Sequence, residues 1–165
     1  MKGLILFALI FSQILHGELI NKIIAVFDDQ IITLAQAQRI SDTLKARKTI
    51  SPKYADKETF TLAEIARIQI ESFLIRNKLE EMGYIIDDNQ VETQIKETEK
   101  RLNLTRDALL QFLTTNNMTF EEYFDLVRQS IEHNIFSGRV IEPLVTITDQ
   151  EIKNTFYKKN IGDNT

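Results

Sequence analysis

Between Phe60 and Met82 the apolar residues recur at helical spacing on two sides of the chain instead of one. Wound at 3.6 residues per turn, Leu62, Ile65, Ala66, Ile70, Phe73 and Leu74 share one face, and Ile68, Ile75, Leu79 and Met82 gather roughly opposite. A helix on the surface of a domain needs only one apolar stripe, and a helix of this length draws most of its stability from packing. Two stripes predict neighbours on both sides, so the segment reads as the central helix of a bundle. Thr61 with Glu64 forms a capping box at its start, and Gly83 is placed to end it.

On the N-terminal side, Ile20 to Phe27 and Ile31 to Ile32 are β-branched and apolar, with Asp28, Asp29 and Gln30 as a polar turn between them, which predicts a small β-hairpin. Thr33 then opens a helix through Lys48, with Leu34, Ala37, Ile40 and Leu44 on one face. Thr49 to Asp56, polar and carrying Pro52, reads as a loop. After Gly83, Asp87 with Gln90 starts a helix whose apolar seam is only Val91, Ile95 and Leu102, so it belongs at the periphery. Thr105 begins a short helix bearing Leu109, Leu110, Phe112 and Leu113. Thr119 with Glu122 caps a long one in which Phe120, Tyr123, Phe124, Val127, Ile131 and Ile135 share a face. That helix should stop just before Pro143. Leu144 to Ile147 is a short strand candidate, and Thr148 with Glu151 caps a last helix running to about Lys159. The expected fold is mainly α: a compact helical bundle around one long central helix, with a hairpin near the start and a brief strand near the end.

The first seventeen residues change the picture of where this fold resides. Lys2, an apolar run from Leu4 to Leu15 and the small residue Gly17 have the shape of a cleavable secretory signal, 1–17. The run is too short for a comfortable membrane span, and no second such run follows. Leu15 is an atypical residue at its place before the cut, so a buried N-terminal helix or an anchor is the other reading. Export through this leader predicts a periplasmic protein with no stable membrane span. The formal charge is −4, and loss of Lys2 makes it one unit more acidic. Lys and Arg are interspersed with Asp and Glu, which argues against nucleic acid as a partner. The chain has no cysteine, so neither a disulfide nor a lipid-anchored cysteine can hold it.

Candidate chemistry is sparse. His16 falls in the leader and His133 is the other histidine, which with no cysteine leaves no usual material for a thiol nucleophile or a zinc cluster. His133 reads as a polar residue on the solvent side of its helix. The pairs Asp28–Asp29 and Asp87–Asp88 fit a turn and a helix start better than a metal site. No glycine-rich phosphate loop occurs. The expectation is therefore no catalytic, cofactor-binding or metal-ligating residue. On the Thr119 helix, however, Leu126, Phe136 and Val140 lie roughly opposite the main stripe as a second, smaller apolar face. Either another part of the chain covers that face or it binds something apolar, a client or a second copy of the chain.

Two stretches carry a family resemblance. INKIIAVFDDQIITLAQAQ is similar to the opening of the mature SurA-type periplasmic chaperones: an apolar strand, a tight polar turn, an Ile-Thr-Leu step and a helix. LTRDALLQFLTTNNMTFEEYFDLVRQSIEHNIFSGRVIEPLVTITDQEIKNTFYKKN resembles that family's short helix, the turn before a Thr/Ser-x-Glu-Glu-Tyr start, the long helix, and a closing strand followed by Thr-Asp-x-Glu-Ile and a Tyr. GYIIDDNQVETQI between them fits the family's peripheral helix. The resemblance implies that 18–160 is a SurA N-terminal-like chaperone domain, followed by a disordered tail at 161–165. It also implies ATP-independent binding of unfolded or extended polypeptide clients, such as outer-membrane proteins, with no cofactor. In that family isomerase activity belongs to parvulin domains that follow, and a C-terminal segment completes the domain. Neither is present in this sequence, so the expectation is a chaperone and not an enzyme. An isomerase whose parvulin part is supplied elsewhere and an adaptor for one folded partner are the alternatives.

Overall fold

The computed structural model describes residues 22–145 and 149–161. The leader, Thr146 to Thr148 and the last four residues lie outside the described part, as does most of the expected disordered tail. Strands β1 (Ile23–Phe27) and β2 (Gln30–Thr33) form an antiparallel hairpin with Phe27 opposite Gln30 and Val26 opposite Ile31, and an irregularity lies between Ile23 and Ala25. Asp28 takes the left-handed backbone (φ 47°) that its short polar side chain tolerates at the turn.

Thr33 closes the hairpin and caps α1 (Leu34–Asp42), with its hydroxyl accepting from Gln36 N and the Gln36 side chain accepting from Thr33 N. The periodicity predicts a single helix to Lys48, but the structure divides it at Thr43, and α2 (Leu44–Ile50) follows. Thr43 is buried and its hydroxyl donates back to the Arg39 and Ile40 carbonyls, a bond that competes with regular helix and bends it. The expected loop at Thr49 to Asp56 is likewise more ordered than its composition suggests. Ile50 still belongs to α2, and Pro52–Tyr54 is a 3-10 turn that places Tyr54 in the core at 0% exposure.

The central helix is α3 (Leu62–Glu81), capped by the Thr61–Glu64 box. It does have neighbours on both sides: Phe73 meets Phe27 of the hairpin edge-on at 6.2 Å, and the helix packs on α1 and on α6 (Phe120–Phe136). Gly83 (φ 81°) ends it, with Tyr84 N donating to Leu79 O and Gly83 N to Glu80 O, the double bond that satisfies the last carbonyls of a helix. The same geometry, with asparagine in place of glycine, ends α4 (Asp88–Leu102) at Asn103 and α5 (Arg106–Thr115) at Asn117. Helix α4 is peripheral as expected: Val91 and Ile95 are buried, while Leu102 is exposed.

Helix α6 starts on the Thr119–Glu122 box. Beyond Phe136 it widens into a π turn, Ser137–Ile141, and tightens into a 3-10 turn, Glu142–Leu144. Proline supplies no N–H and clashes with the preceding turn, so a change of helical register at Pro143 is the cheap solution. The strand expected at Leu144 to Ile147 is not formed at Leu144, which closes the 3-10 turn. Val145 is extended, Thr146 and Ile147 lie outside the described residues, and the sheet of the described residues has only β1 and β2. Helix α7 (Asp149–Ile161) follows, with Ile152, Phe156 and Tyr157 exposed. The molecule is mainly helical around one long central helix, with one core that runs from Ala37 and Tyr54 through Ile65 to Val91, Leu113 and Leu126. No helix among the described residues is long and apolar enough to cross a membrane.

Candidate functional site

The seam between α3 and α6 is where polar groups collect. On the helical wheel of α3, Ser72 lies between the two apolar stripes and Gln69 and Arg76 lie beside Ile65 at the edge of the first, and α6 answers with Glu122, Asp125, Gln129 and Glu132. Ser72, Gln129 and Glu132 are buried, the last at 4% exposure. A charge so placed requires a partner, and Arg76 supplies one: its Nε donates to Glu132 Oε1 at 2.8 Å and its Nη2 to Oε2 at 3.3 Å. Arg76 reaches Asp125 at only 3.5 Å, where both side chains meet solvent, so this second pair contributes little. Burial works against the Arg76 charge, but Glu132 and then Asp125 outweigh it and hold the guanidinium above its ordinary range.

Glu122 ties three elements together. Its carboxylate accepts from Thr119 N at 2.8 Å in the α6 cap, from Arg39 Nε and Nη2 of α1 at 2.8 Å each, and from Arg47 Nη2 of α2 at 3.4 Å. Burial disfavours its charge, yet the Arg39 hydrogen bond, the Thr119 N–H and the two guanidiniums prevail and keep Glu122 below the usual carboxylate range. Arg47 is itself buried, donating Nε to Thr43 Oγ1 at 2.8 Å and lying 6.0 Å over the Tyr54 ring. On the far side, Arg128 donates to the Ile86 carbonyl at 2.8 Å and lies 5.6 Å over Phe124, holding the α3–α4 link against α6.

Two clefts open on this seam. One, of about 380 Å³, runs under the hairpin between Phe27, Ile32, Ile40, Phe73 and Gln129. The other, of about 730 Å³, lies between Tyr84, Ile85, Phe124 and Arg128. Arg76, Glu122 and Asp125 line both, so the two clefts meet at shared charged residues as a seam groove of mixed polarity, in which the second cleft sets Tyr84, Ile85 and Phe124 among Glu80, Asp88, Glu121 and Arg128. A third cleft of about 500 Å³ contains His133 and Lys53. His133 is not on the solvent side of its helix: it is half-buried, and its Nδ1 has no hydrogen-bond partner. Burial lowers the Lys53 ammonium below the ordinary lysine range, and its Nζ donates to Ser72 Oγ at 3.0 Å.

The three apolar residues expected to form a second face on α6 are separated by the structure. Leu126 is 1% exposed and belongs to the core, because α6 is enclosed on more than one side and the rest of the chain covers this position. Phe136 and Val140 are half-buried, and the exposed apolar residues nearest to them in sequence are Ile141, Leu144 and Val145. Asp28 and Asp29 sit in the hairpin turn, and Asp87 and Asp88 at the start of α4. Among the described residues no group of three or more acidic, histidine or cysteine side chains is placed to hold a metal ion. The polar seam itself is not visible in the apolar pattern. The available signal is the run of Gln69, Ser72 and Arg76 at i, i+3 and i+7 on a helix that must be buried.

The fold and groove define a mainly helical domain with an open, mixed-polarity channel on its central seam. No family model matches the chain. Known proteins do resemble it: the chaperone SurA of Idiomarina loihiensis is 23% identical over 138 residues, covering 83% of this chain and 32% of that protein. The chaperone SurA of Methylococcus capsulatus is 22% identical over 134 residues, covering 81% and 30%. That of Buchnera aphidicola is 25% identical over 154 residues, covering 90% and 35%. The chain is therefore similar to SurA chaperones over most of its length, and it spans about a third of the length of the curated relatives it matches.

Proposed function

We propose that this chain acts as an ATP-independent chaperone domain that holds unfolded outer-membrane or other exported proteins in the periplasm. The observation that carries this reading is the likeness to SurA chaperones across 81–90% of the chain. The seam groove supports it. Its apolar residues, Phe27, Ile32, Ile40 and Phe73 in one cleft and Tyr84, Ile85 and Phe124 in the other, suit the side chains of an extended polypeptide, and the polar residues between them suit its backbone. Modest, divided apolar area also suits a holder that must release its client. Phe136 and Val140, with the exposed residues that follow them, are a further apolar contact for a client or for a second copy of the chain. Delivery to the periplasm would be through cleavage of the leader near Gly17, leaving a new N-terminus near Glu18 readable by mass spectrometry.

The experiment is aggregation suppression: the purified protein should slow the aggregation of an unfolded outer-membrane β-barrel protein without ATP, at near-stoichiometric amounts. In this reading the chain does not itself isomerise proline peptide bonds. Acceleration of cis-to-trans exchange in a proline peptide, with no effect on aggregation, would replace the chaperone by the isomerase.

A further inference from the structure

We infer that the cleft of Tyr84, Ile85 and Phe124 receives helix α7 of a second copy of this chain, exchanged reciprocally in a dimer. This does not depend on the chaperone reading above. The cleft joins apolar surface to acidic charge that the chain leaves unanswered. Tyr84 and Ile85 line it and are 37% and 72% exposed. Six carboxylates line it against two guanidiniums, and both guanidiniums are already engaged, Arg76 with Glu132 and Arg128 with Asp88. Glu122 is held by Arg39 and Arg47 from the other side of the seam. Glu80 and Glu121 form no salt bridge among the described residues, and the cation nearest Asp125 is Arg76 at 3.5 Å. Unpaired carboxylates around exposed apolar side chains fit a partner that brings apolar groups and positive charge together.

Helix α7 has that chemistry. At helical spacing Ile152, Lys153, Phe156 and Tyr157 fall on one face, and the three apolar members are 56%, 61% and 56% exposed. From Lys153 to its end α7 carries lysines and no acidic residue. Lys153 and Lys158 form no salt bridge among the described residues. No residue of α7 lines the cleft, so the helix does not fill the site of its own copy. The cleft, at about 730 Å³, is large enough for several side chains of a helix and not only one. Two patches of opposite charge on one chain are complementary between copies, and exchange of an identical element is a low-cost route to a closed dimer. Making the contact twice also brings the buried area toward the roughly 1,200 Å² of a stable pair.

The test is sedimentation equilibrium of the purified protein from about 1 to about 200 µM, over which a dimer should form and should weaken with added salt. Lys153→Glu and Glu80→Lys change exposed side chains and should leave the urea midpoint nearly unchanged. Each alone sets like charges against each other in both contacts and should weaken the dimer roughly tenfold. Mixed together, the two variants oppose a lysine to a glutamate in both contacts, and association should return, a recovery that misfolded chains cannot imitate. Ile152→Asp should weaken the dimer as well, through the apolar part of the contact. A protein that stays monomeric at the highest concentration overturns the inference, as do charge variants that fail to recover on mixing. Association untouched by Ile152→Asp places the contact elsewhere and overturns it too. Should the protein stay monomeric and bind an unfolded polypeptide that Glu80→Lys releases, the cleft's occupant is a client and not a second copy.

Discussion

With α4 and α5, helix α6 shares a dry core in which Tyr123, Leu126 and Val127 join Val91, Ile95, Leu109 and Leu113. With α3 and α1 it shares the seam of Glu122, Asp125, Gln129 and Glu132 against Arg39 and Arg76. The first contact stabilises in proportion to the area it removes from water, with little regard to direction. In the second, each charge gives up hydration to gain a partner, so the net stabilisation is small, but the wrong arrangement is costly. A helix that draws its stability from one face can spend the other on an open, polar-floored groove. This division explains how a domain of this size keeps two clefts on its central seam without a second core.

The dry face should give the largest response. Ile95 is fully buried between α4 and its neighbours, and Ile95→Ala removes three carbons and leaves a cavity that the surrounding helices fill only in part. The expected loss is about 4 kcal/mol of unfolding free energy, read by urea denaturation. A loss below about 1 kcal/mol would show that α4 is a loosely attached flap and that the comparison of faces is misdrawn.

The seam answers differently to one change and to two. Arg76→Ala strands Glu132 at 4% exposure without its partner, and should cost about 3 kcal/mol. Replacing both, Arg76→Met with Glu132→Leu, removes the stranded charge as well and should return stability to within about 1 kcal/mol of the starting protein. A double variant as unstable as the single one would mean that the pair contributes net stability, and the two faces would then differ in degree only.

How far each face can be read in the sequence follows from the range of its interactions. Helix starts at Thr33, Thr61, Asp87 and Thr119 are legible because the cap and its partner lie three residues apart. The dry core at Val91, Ile95, Leu109 and Leu113 is legible as periodicity. The break at Thr43 is not, because a threonine in an otherwise regular helical pattern carries no mark of which carbonyl its hydroxyl will choose. Tyr54 is hidden by the polar, proline-bearing segment around it, and only its contacts with Arg47, Phe60 and Gln69 reveal it as core. Leu126 shows the limit of a single-helix wheel, which finds an apolar face but not what covers it. The seam is the extreme case, since Glu122 reads as the second half of a cap, and nothing local announces Arg39 and Arg47, 83 and 75 residues away.

The smallest expected effect separates the faces by pH. Glu122 is held below the usual carboxylate range, so the folded state binds a proton there less readily than the unfolded chain does. Its contribution is present above the unfolded carboxylate value near 4.5 and is lost as pH falls from there toward the folded value. Glu64, lowered to about 2 by Lys57 and then by the Thr61 backbone and hydroxyl, acts in the same direction, but it is open to solvent and screened. Glu122→Gln keeps an oxygen for the Thr119 cap and loses the charge that Arg39 and Arg47 face. At pH 7 the variant should be less stable by about 1–2 kcal/mol, the difference between charged and neutral hydrogen bonds at a partly buried site. Urea unfolding at pH 7 and pH 3 reads the gap, which should narrow on acidification as the native carboxyl takes up its proton. The dry-face variant Ile95→Ala removes no charge and no hydrogen bond, so its deficit should be nearly the same at both pH values. Should the Glu122→Gln gap stay constant as well, the carboxylate would be acting as a cap alone, and its ion pairs with α1 and α2 would contribute nothing to the fold.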